Sequence, residues 1–156
     1  MQIADVMTPD IEVVTADYTV GMAAQIMADL DRELLPVIEG NHLIGAITGR
    51  EIATRVVAEG LDPKQITVGQ AMTSDILYCF ETEPVTDVSQ KMADWWVRCL
   101  PVVDQEKRLI GMVSLGDLLE LSAAPKTKEI GMPPHHPRTS RSARQTRRTR
   151  RRAAAA

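Results

Sequence analysis

The hydrophobic and polar positions of the first 120 or so residues follow one plan that occurs twice. In the first copy, a short β-branched run predicts a strand, and apolar positions at helical spacing behind Thr19, a good N-cap, predict a helix. Two further apolar runs around the turn residues 39–41 predict a pair of strands, and Thr48 begins a second helix that Gly60 ends. These elements are predicted at residues 11–15, 20–30, 34–38, 42–47 and 49–58.

The second copy repeats this plan at an offset of 65 residues, which becomes 66 after a one-residue insertion at Lys107. Its elements are predicted at 76–80, 84–96, 99–103, 108–113 and 115–121, and short lead-in helices at 3–7 and 68–72. Fifteen of the 46 paired positions between residues 7–52 and 72–118 are identical, which identifies an internal repeat. Because two such units bury their apolar faces against each other, we expect two related clefts at their seam.

The predicted organisation is a first repeat at residues 1–60, a connector at 61–67, a second repeat at 68–122 and a tail at 123–156. Each repeat has the order β-α-β-β-α, which places the chain in the α+β class. The tail has no apolar periodicity and is mostly Pro, Ser, Thr, Arg and Lys, so it is predicted to be disordered.

The net charge of −3 conceals an acidic body and a basic tail: residues 1–125 carry −12 and residues 126–156 carry +9. An Arg-rich tail can bind nucleic-acid phosphates by counterion release, and this is the alternative function that the sequence offers. No aromatic residues interleave with the arginines to stack on bases. A solvated extension, or a tail that folds back on the acidic body, are the other interpretations.

The remaining composition indicates a cytoplasmic protein without a catalytic motif. No run of about 18 apolar residues predicts a membrane span, and the N-terminus does not resemble a secretory signal. Cys79 and Cys99 fit reduced thiols in strands better than a disulfide framework. The common nucleotide-loop, metalloprotease and nucleophile-elbow motifs are not found, and His135-His136 lacks further metal ligands, so neither an enzyme nor a metal site is predicted.

Two hydroxyl–carboxylate pairs occur at corresponding strand-to-helix junctions, Thr48 with Glu51 and Ser114 with Asp117. Such a pair can form a capping box, in which hydroxyl and carboxylate satisfy free N–H groups at the start of the helix. The same carboxylate can instead accept hydrogen bonds from both hydroxyls of a ribose, and a helix N-terminus favours phosphate. From the residues alone, both roles remain open.

The pattern MT-x-D-I, then an apolar helix, LPV[IV], a turn and LIG-x-[IV]-[ST]-x-x-[DE]-[IL], resembles the cystathionine-β-synthase (CBS) domain. The resemblance covers residues 1 to about 121 and occurs twice in register. It implies a pseudo-twofold pair of CBS repeats (a Bateman module), usually dimeric, that binds an adenosyl ligand such as AMP, ATP or S-adenosylmethionine as an effector. It also implies a regulatory module rather than an enzyme with a cofactor.

The resemblance further implies which residues form each cleft. In the Asp117 cleft, Ser114 and Asp117 are expected to bind the ribose. Ile11 and Glu12, from the first strand of the other copy, are expected near the adenine, and Arg98 is the expected phosphate partner. We expect this cleft to be the better nucleotide site.

The Glu51 cleft is made of the corresponding residues, Thr48, Glu51, Ile76 and Leu77. Its phosphate position holds Glu33, whose carboxylate repels a phosphate about 4 Å away by about 1–4 kcal/mol, depending on the local dielectric. We therefore expect this cleft to be empty, or to take an adenosyl ligand with little negative charge. Arg50 and Arg55 either supply positive charge on this side or are solvated helix residues.

Trp95 and Trp96 close the helix predicted at 84–96. Because adjacent helix positions point about 100° apart, we expect one ring to be packed and the other partly exposed. An exposed Trp suggests a contact surface. Since the resemblance implies dimerisation through helices, a homodimer interface is the first interpretation, and simple packing is the alternative.

Overall fold

The structure is a computed structural model that describes residues 1–122 of the 156-residue chain. The predictions made for the Arg-rich tail therefore lie outside the described residues. These predictions are its disorder, its binding to nucleic acid and its return to the acidic body.

Within residues 1–122, six strands form two three-stranded sheets, one from each repeat. The strands are β1 (Val14–Thr15), β2 (Leu34–Glu39), β3 (His42–Thr48), β4 (Cys79–Phe80), β5 (Cys99–Val103) and β6 (Leu109–Ser114). In each sheet the first strand pairs in parallel with the second, and the second pairs antiparallel with the third. The two sheets therefore have the same topology, as the internal repeat predicts.

The helices follow the predicted order closely. They are α1 (Val20–Leu30), α2 (Gly49–Glu51), α3 (Val68–Ala71), α4 (Val85–Trp95) and α5 (Leu115–Ser122). A 3₁₀ turn precedes them at Ile3–Asp5, and α2 continues directly into π-helical turns at Ile52–Val57. As predicted, Thr19 caps α1, because its side chain accepts a hydrogen bond from the backbone N of Met22 at 3.1 Å. The α+β fold class with two β-α-β-β-α repeats is confirmed.

The first strand of each repeat is shorter than predicted. Only residues 14–15 and 79–80 pair, where the sequence predicted strands at 11–15 and 76–80. Val14 pairs with Val37 and Cys79 with Val102, and the next residue back along the partner strand is Pro36 or Pro101. A proline has no N–H to donate, so the ladder stops there, and residues 11–13 and 76–78 are left free of the sheet.

Each repeat's hydrophobic core is completed by the lead-in segment of the other copy. Ile3 is fully buried among core residues of the second repeat, and Val68 is fully buried in the core of the first. Backbone hydrogen bonds fix both positions: Ile3 N donates to Glu83 O at 3.0 Å and Val68 N donates to Tyr18 O at 2.7 Å. The two repeats thus exchange their lead-in segments, and each hydrophobic core contains residues from both.

Two glycines let each lead-in segment cross the third strand of the other repeat. A Cβ built on Gly111 would lie 2.8 Å from Thr8 O and 3.0 Å from Met7 Sδ. A Cβ on Gly45 would lie 2.8 Å from both Met72 Sδ and Thr73 O. Only a residue without a side chain therefore fits where these backbones cross.

We predict that Gly111→Ala lowers the free energy of unfolding by about 1–3 kcal/mol, because the added methyl group must push backbone aside. Gly49→Ala is the matched control, since a Cβ at Gly49 meets nothing within 4 Å. Urea denaturation of both variants measures the difference. Equal midpoints for the two variants would show that the crossing is not tightly packed.

Candidate functional site

Two clefts lie where the repeats meet, and each contains one hydroxyl–carboxylate pair. The Asp117 cleft has a volume of about 520 Å³, and the Glu51 cleft has a volume of about 230 Å³. Leu34 and Cys99, the first residues of β2 and β5, line both clefts. The starts of these two strands therefore separate one cleft from the other.

Glu51 is held at the start of α2 by hydrogen bonds to both of its carboxylate oxygens. Its Oε2 accepts from the backbone N of Thr48 at 2.8 Å and from the Thr48 hydroxyl, and its Oε1 accepts from the Thr73 hydroxyl at 3.0 Å. Burial favours the neutral carboxyl, but the hydrogen bonds outweigh it, so the pKa of Glu51 is lowered from its ordinary value. Glu51 is therefore an ionised carboxylate: Oε2 accepts two hydrogen bonds and Oε1 accepts one, which leaves one acceptor position on Oε1.

Asp117 forms the corresponding capping box but leaves one oxygen free. Its Oδ2 accepts from Ser114 N at 2.8 Å and from Ser114 Oγ at 2.7 Å, and Ser114 Oγ accepts from Asp117 N at 3.2 Å. Among residues 1–122, no side chain or backbone group donates to Oδ1 of Asp117. Both carboxylates thus act as caps, and Asp117 differs from Glu51 in that one whole oxygen, Oδ1, accepts nothing from residues 1–122.

The difference between the two carboxylates is explained by one methylene group. Thr8 and Thr73 occupy corresponding positions in the two lead-in segments, and each pairs with β6 or β3 through a backbone bridge. The longer Glu51 reaches the hydroxyl of Thr73, whereas the shorter Asp117 makes no hydrogen bond to the exposed Thr8. Two polar groups, Asp117 Oδ1 and the Thr8 hydroxyl, are left for a ligand in the Asp117 cleft.

Charged side chains are distributed unequally between the clefts. The Asp117 cleft is lined by two arginines and three acidic residues, namely Arg32, Arg98, Asp31, Glu33 and Asp117. In the Glu51 cleft the charged lining residues are Glu51 and Asp75, and no basic residue of the described part lines it. Among the described residues, an anionic ligand therefore finds arginines lining the Asp117 cleft and no basic residue lining the Glu51 cleft.

Glu33 lies in the Asp117 cleft, and its expected place in the Glu51 cleft is wrong. Because β2 and β5 begin side by side, the residues just before them face each other: Arg98 Nη1 lies 3.9 Å from Glu33 Oε1. Both side chains are largely exposed, at 81% and 74%, so this pair contributes at most about 1 kcal/mol. A phosphate bound at Arg98 must displace Glu33, whose carboxylate repels it, and the weakness of this exposed pair keeps the cost of breaking it small.

Ile11 and Glu12 lie beside the Asp117 cleft rather than in it. They line a separate recess of only about 10 Å³, which shares Arg32, Leu34 and Met112 with the cleft. On the other side, the corresponding residues belong to the Glu51 cleft itself. Its lining includes Thr48, Ile76 and Leu77, with the apolar residues Ala46, Val97 and Leu100.

Arg50 and Arg55 are not brought to the Glu51 cleft. Arg50 is an exposed residue of α2. Arg55 donates from Nη1 to Ala71 O at 2.9 Å and to Met72 O at 2.8 Å, at the C-terminal end of α3. A cation at the carbonyl end of a helix stabilises that helix, and this contact keeps the Arg55 guanidinium away from a ligand.

Both Trp rings are more exposed than predicted. Trp95 is 41% exposed and Trp96 is 93% exposed, so neither is the packed ring that the helix geometry suggested. Helix α4 ends at Trp95, and Trp96 adopts a left-handed conformation with φ of 57° at the C-cap. The reversal of the chain at Trp96 turns its ring away from the core.

Neither thiol is disposed to react in the free protein. Cys79 and Cys99 are both unpaired, and burial raises the pKa of the Cys79 thiol to about 12. Burial also raises the pKa of Cys99, which lies between the clefts. In the part of the chain that the structure describes, no group of three or more His, Cys, Asp or Glu side chains could hold a metal ion, and no helix has the length and apolar character to cross a membrane.

Sequence reasoning missed Thr8, Thr73, Arg32 and Met112. Thr8 and Thr73 are identical in the two copies, and this identity was the available signal that they share a role. Arg32 lies in the turn after α1, and no sequence motif singled it out. Met112 follows Gly111, which is identical to Gly45 of the first copy, and the sequence indicated only that Met112 lies in a strand.

Comparison with known proteins gives one consistent result. A family model described as the CBS domain matches residues 3–58 and again residues 68–124. A Bacillus subtilis protein named CBS domain-containing protein YhcV is 36% identical over 116 residues, which are 74% of this chain and 81% of that protein.

Solved structures that resemble this chain also include a CBS domain pair. Hypoxic Response Protein I, solved with two coordinated zinc ions, has 29% identity and a TM-score of 0.70, and the match covers 78% of this chain and 98% of that one. The CBS domain pair of protein MJ0100, solved in complex with 5-methylthioadenosine and S-adenosyl-L-methionine, has 26% identity and a TM-score of 0.65. That match covers 79% of this chain and 96% of that one.

Proposed function

Because the chain belongs to the CBS domain family, we propose that it is a regulatory module that binds an adenosyl ligand in the clefts between its two repeats. The observation that carries this proposal is a pair of polar groups in the Asp117 cleft, Asp117 Oδ1 and the Thr8 hydroxyl, that make no hydrogen bond within residues 1–122. Binding of 5-methylthioadenosine and S-adenosyl-L-methionine by the MJ0100 domain pair supports the ligand class.

The free oxygen of Asp117 fits the two hydroxyls of a ribose. A carboxylate accepts hydrogen bonds only, and Oδ2 is occupied by Ser114, so Oδ1 is the acceptor that remains for a ligand hydroxyl. Hydrogen bonds to a charged acceptor are worth about 1.5–3 kcal/mol each. The Thr8 hydroxyl can donate or accept beside it. Ribose recognition by this cleft would thus use Asp117 Oδ1 and the Thr8 hydroxyl, which the fold holds in place and which residues 1–122 leave available for hydrogen bonds.

The charged residues that line the two clefts suit different ligands, depending on whether the ligand carries a phosphate. We propose that phosphorylated ligands such as AMP bind in the Asp117 cleft, where Arg32 and Arg98 can pair with the phosphate. The Glu51 cleft has carboxylates and no described basic residue, so it suits an uncharged or cationic ligand, such as a thioadenosine or a sulfonium compound. This assignment keeps the Asp117 cleft as the better nucleotide site.

The response to ligand is proposed to start at the Arg98–Glu33 pair. This pair joins residues from the two repeats next to the starts of β5 and β2, and each strand start lines both clefts. A phosphate that takes Arg98 away from Glu33 changes a contact between the repeats. A ligand shifts a conformational equilibrium only if it binds one conformation more tightly than the other. The replacement of the Arg98–Glu33 contact by an Arg98–phosphate contact is the proposed source of that difference in affinity.

The partner of this module is proposed to be a second copy of the chain, in the cytoplasm. Trp96 and Trp95 form an exposed aromatic surface at the end of α4 that would be covered in a homodimer. Large exposed aromatic groups are enriched at protein–protein interfaces.

A panel of adenosyl ligands tests the function directly. We expect isothermal titration of the full chain to give binding of AMP, and separate binding of 5-methylthioadenosine, with AMP affinity falling as salt rises because its phosphate is held by arginines. Ribose-free adenine is the control and should bind more weakly than either. Absence of heat and of thermal stabilisation with every adenosyl compound would contradict the proposal.

A further inference from the structure

The two clefts differ at one pair of corresponding residues that face the ligand. Ala46 of β3 lines the Glu51 cleft, and Met112 of β6 lines the Asp117 cleft. Each pairs with the proline of its neighbouring strand, Ala46 with Pro36 and Met112 with Pro101. The two positions are therefore equivalent in the fold and differ in side-chain size.

Strand alternation explains why these side chains point into the seam. Successive side chains of a strand lie on opposite faces of the sheet. Ile47 and Val113 are fully buried in the cores of their own repeats, so the preceding Ala46 and Met112 face the opposite way, towards the other repeat. Both are nonetheless buried, at 4% and 9% exposure.

On the side of the small Ala46, one cleft contains both the carboxylate and the apolar residues. The carboxylate of Glu51 and the apolar residues Ile76 and Leu77 line the same space of about 230 Å³. A ligand bound to the carboxylate through a ribose can therefore place a base between the apolar residues without any change in the protein.

The large Met112 divides the corresponding space on the other side. Asp117 lines the main cleft, Ile11 lines the separate recess of about 10 Å³, and Met112 lines both. A space of this size is at the limit for a single water molecule, so no base can enter. The Met112 side chain occupies the volume that is open beside Ala46.

We propose that Met112 and Ala46 set the ligand specificity of the two clefts: Met112 closes the base recess of the Asp117 cleft, and Ala46 leaves that of the Glu51 cleft open to a purine. This inference rests on the proposed function. The Asp117 cleft then binds the ribose phosphate portion of a nucleotide without hindrance, but it admits the base only when the flexible Met112 side chain rotates out. Recognition of the base and recognition of the phosphate are thereby assigned to different clefts in the resting protein.

The test compares AMP with ribose 5-phosphate, which lacks the base, on the full chain by titration calorimetry. For Met112→Ala, AMP affinity should rise about tenfold or more, since wild-type AMP binding must expose a buried Met side chain. Ribose 5-phosphate affinity should not change. Ala46→Met is the reciprocal variant and should abolish binding of 5-methylthioadenosine to the Glu51 cleft, and Met112→Val covers the case in which the Ala variant folds poorly.

The outcomes separate this inference from the function on which it rests. If the wild-type chain and all variants bind none of the three ligands, the proposed function itself fails. If AMP binds, but Met112→Ala and Met112→Val change AMP and ribose 5-phosphate affinities equally or not at all, Met112 does not control the base recess. Unchanged 5-methylthioadenosine binding by a folded Ala46→Met chain also overturns the proposal.

Discussion

Replacing Ile3 by Ala is expected to lower the free energy of unfolding by about 2–5 kcal/mol, the range for truncating a fully buried aliphatic side chain. Ile3 has no exposed surface, and it packs in the core of the second repeat with Val88 and Leu100. Urea denaturation followed by circular dichroism measures the loss. The exposed neighbour Ala4, changed to Ser, is the matched control and should leave stability nearly unchanged.

Which sheet loses stability is as informative as how much stability is lost. Hydrogen exchange should show the loss of protection from Ile3→Ala first in β4, β5 and β6. Val68→Ala should act first on β1, β2 and β3. If each substitution instead loosened the sheet of its own sequence repeat, the exchanged arrangement of the lead-in segments would be wrong.

Replacing Asp117 by Ala is expected to weaken AMP binding by about a hundredfold or more. Two hydroxyl hydrogen bonds to a carboxylate are lost, each worth about 1.5–3 kcal/mol, and about 1.4 kcal/mol corresponds to a factor of ten. Glu51→Ala should change AMP affinity little, because the oxygens of Glu51 are held by Thr48 and Thr73 and no described basic residue lines its cleft. Titration calorimetry of both variants measures this asymmetry.

Loss of a helix cap could mimic loss of a ligand contact, so stability must be measured in parallel. Asp117→Asn serves as the close control, since its amide keeps a cap acceptor and removes the charge. Equal loss of AMP binding in the Asp117 and Glu51 variants, or loss only in Glu51→Ala, would overturn the assignment of the nucleotide to the Asp117 cleft.

The sequence predicted the fold well because the repeat supplied each element twice. Helix α1 and strands β2, β3, β5 and β6 lie within a residue or two of their predicted bounds. The first strands were overestimated because their β-branched pattern continues past the point where Pro36 and Pro101 remove a ladder donor. That limit depends on the register between strands, which a single sequence does not show.

The site was less predictable, because its chemistry depends on which residues face each other across the seam. The capping pairs Thr48–Glu51 and Ser114–Asp117 follow from spacing alone. The placement of Glu33 opposite Arg98 follows instead from the side-by-side starts of β2 and β5. The exposure of both Trp rings depends on a left-handed residue at Trp96, an uncommon conformation for a bulky side chain.

The exchange of the lead-in segments has a consequence for how such a protein can evolve. Each copy keeps its core closed only while the other copy is present, since Ile3 and Val68 are each buried in the repeat to which they do not belong by sequence. A chain reduced to a single copy would keep an open core unless two such chains exchanged their lead-in segments with each other. Holding both copies in one polypeptide makes this exchange intramolecular and lets the two clefts carry different residues, as Met112 and Ala46 do.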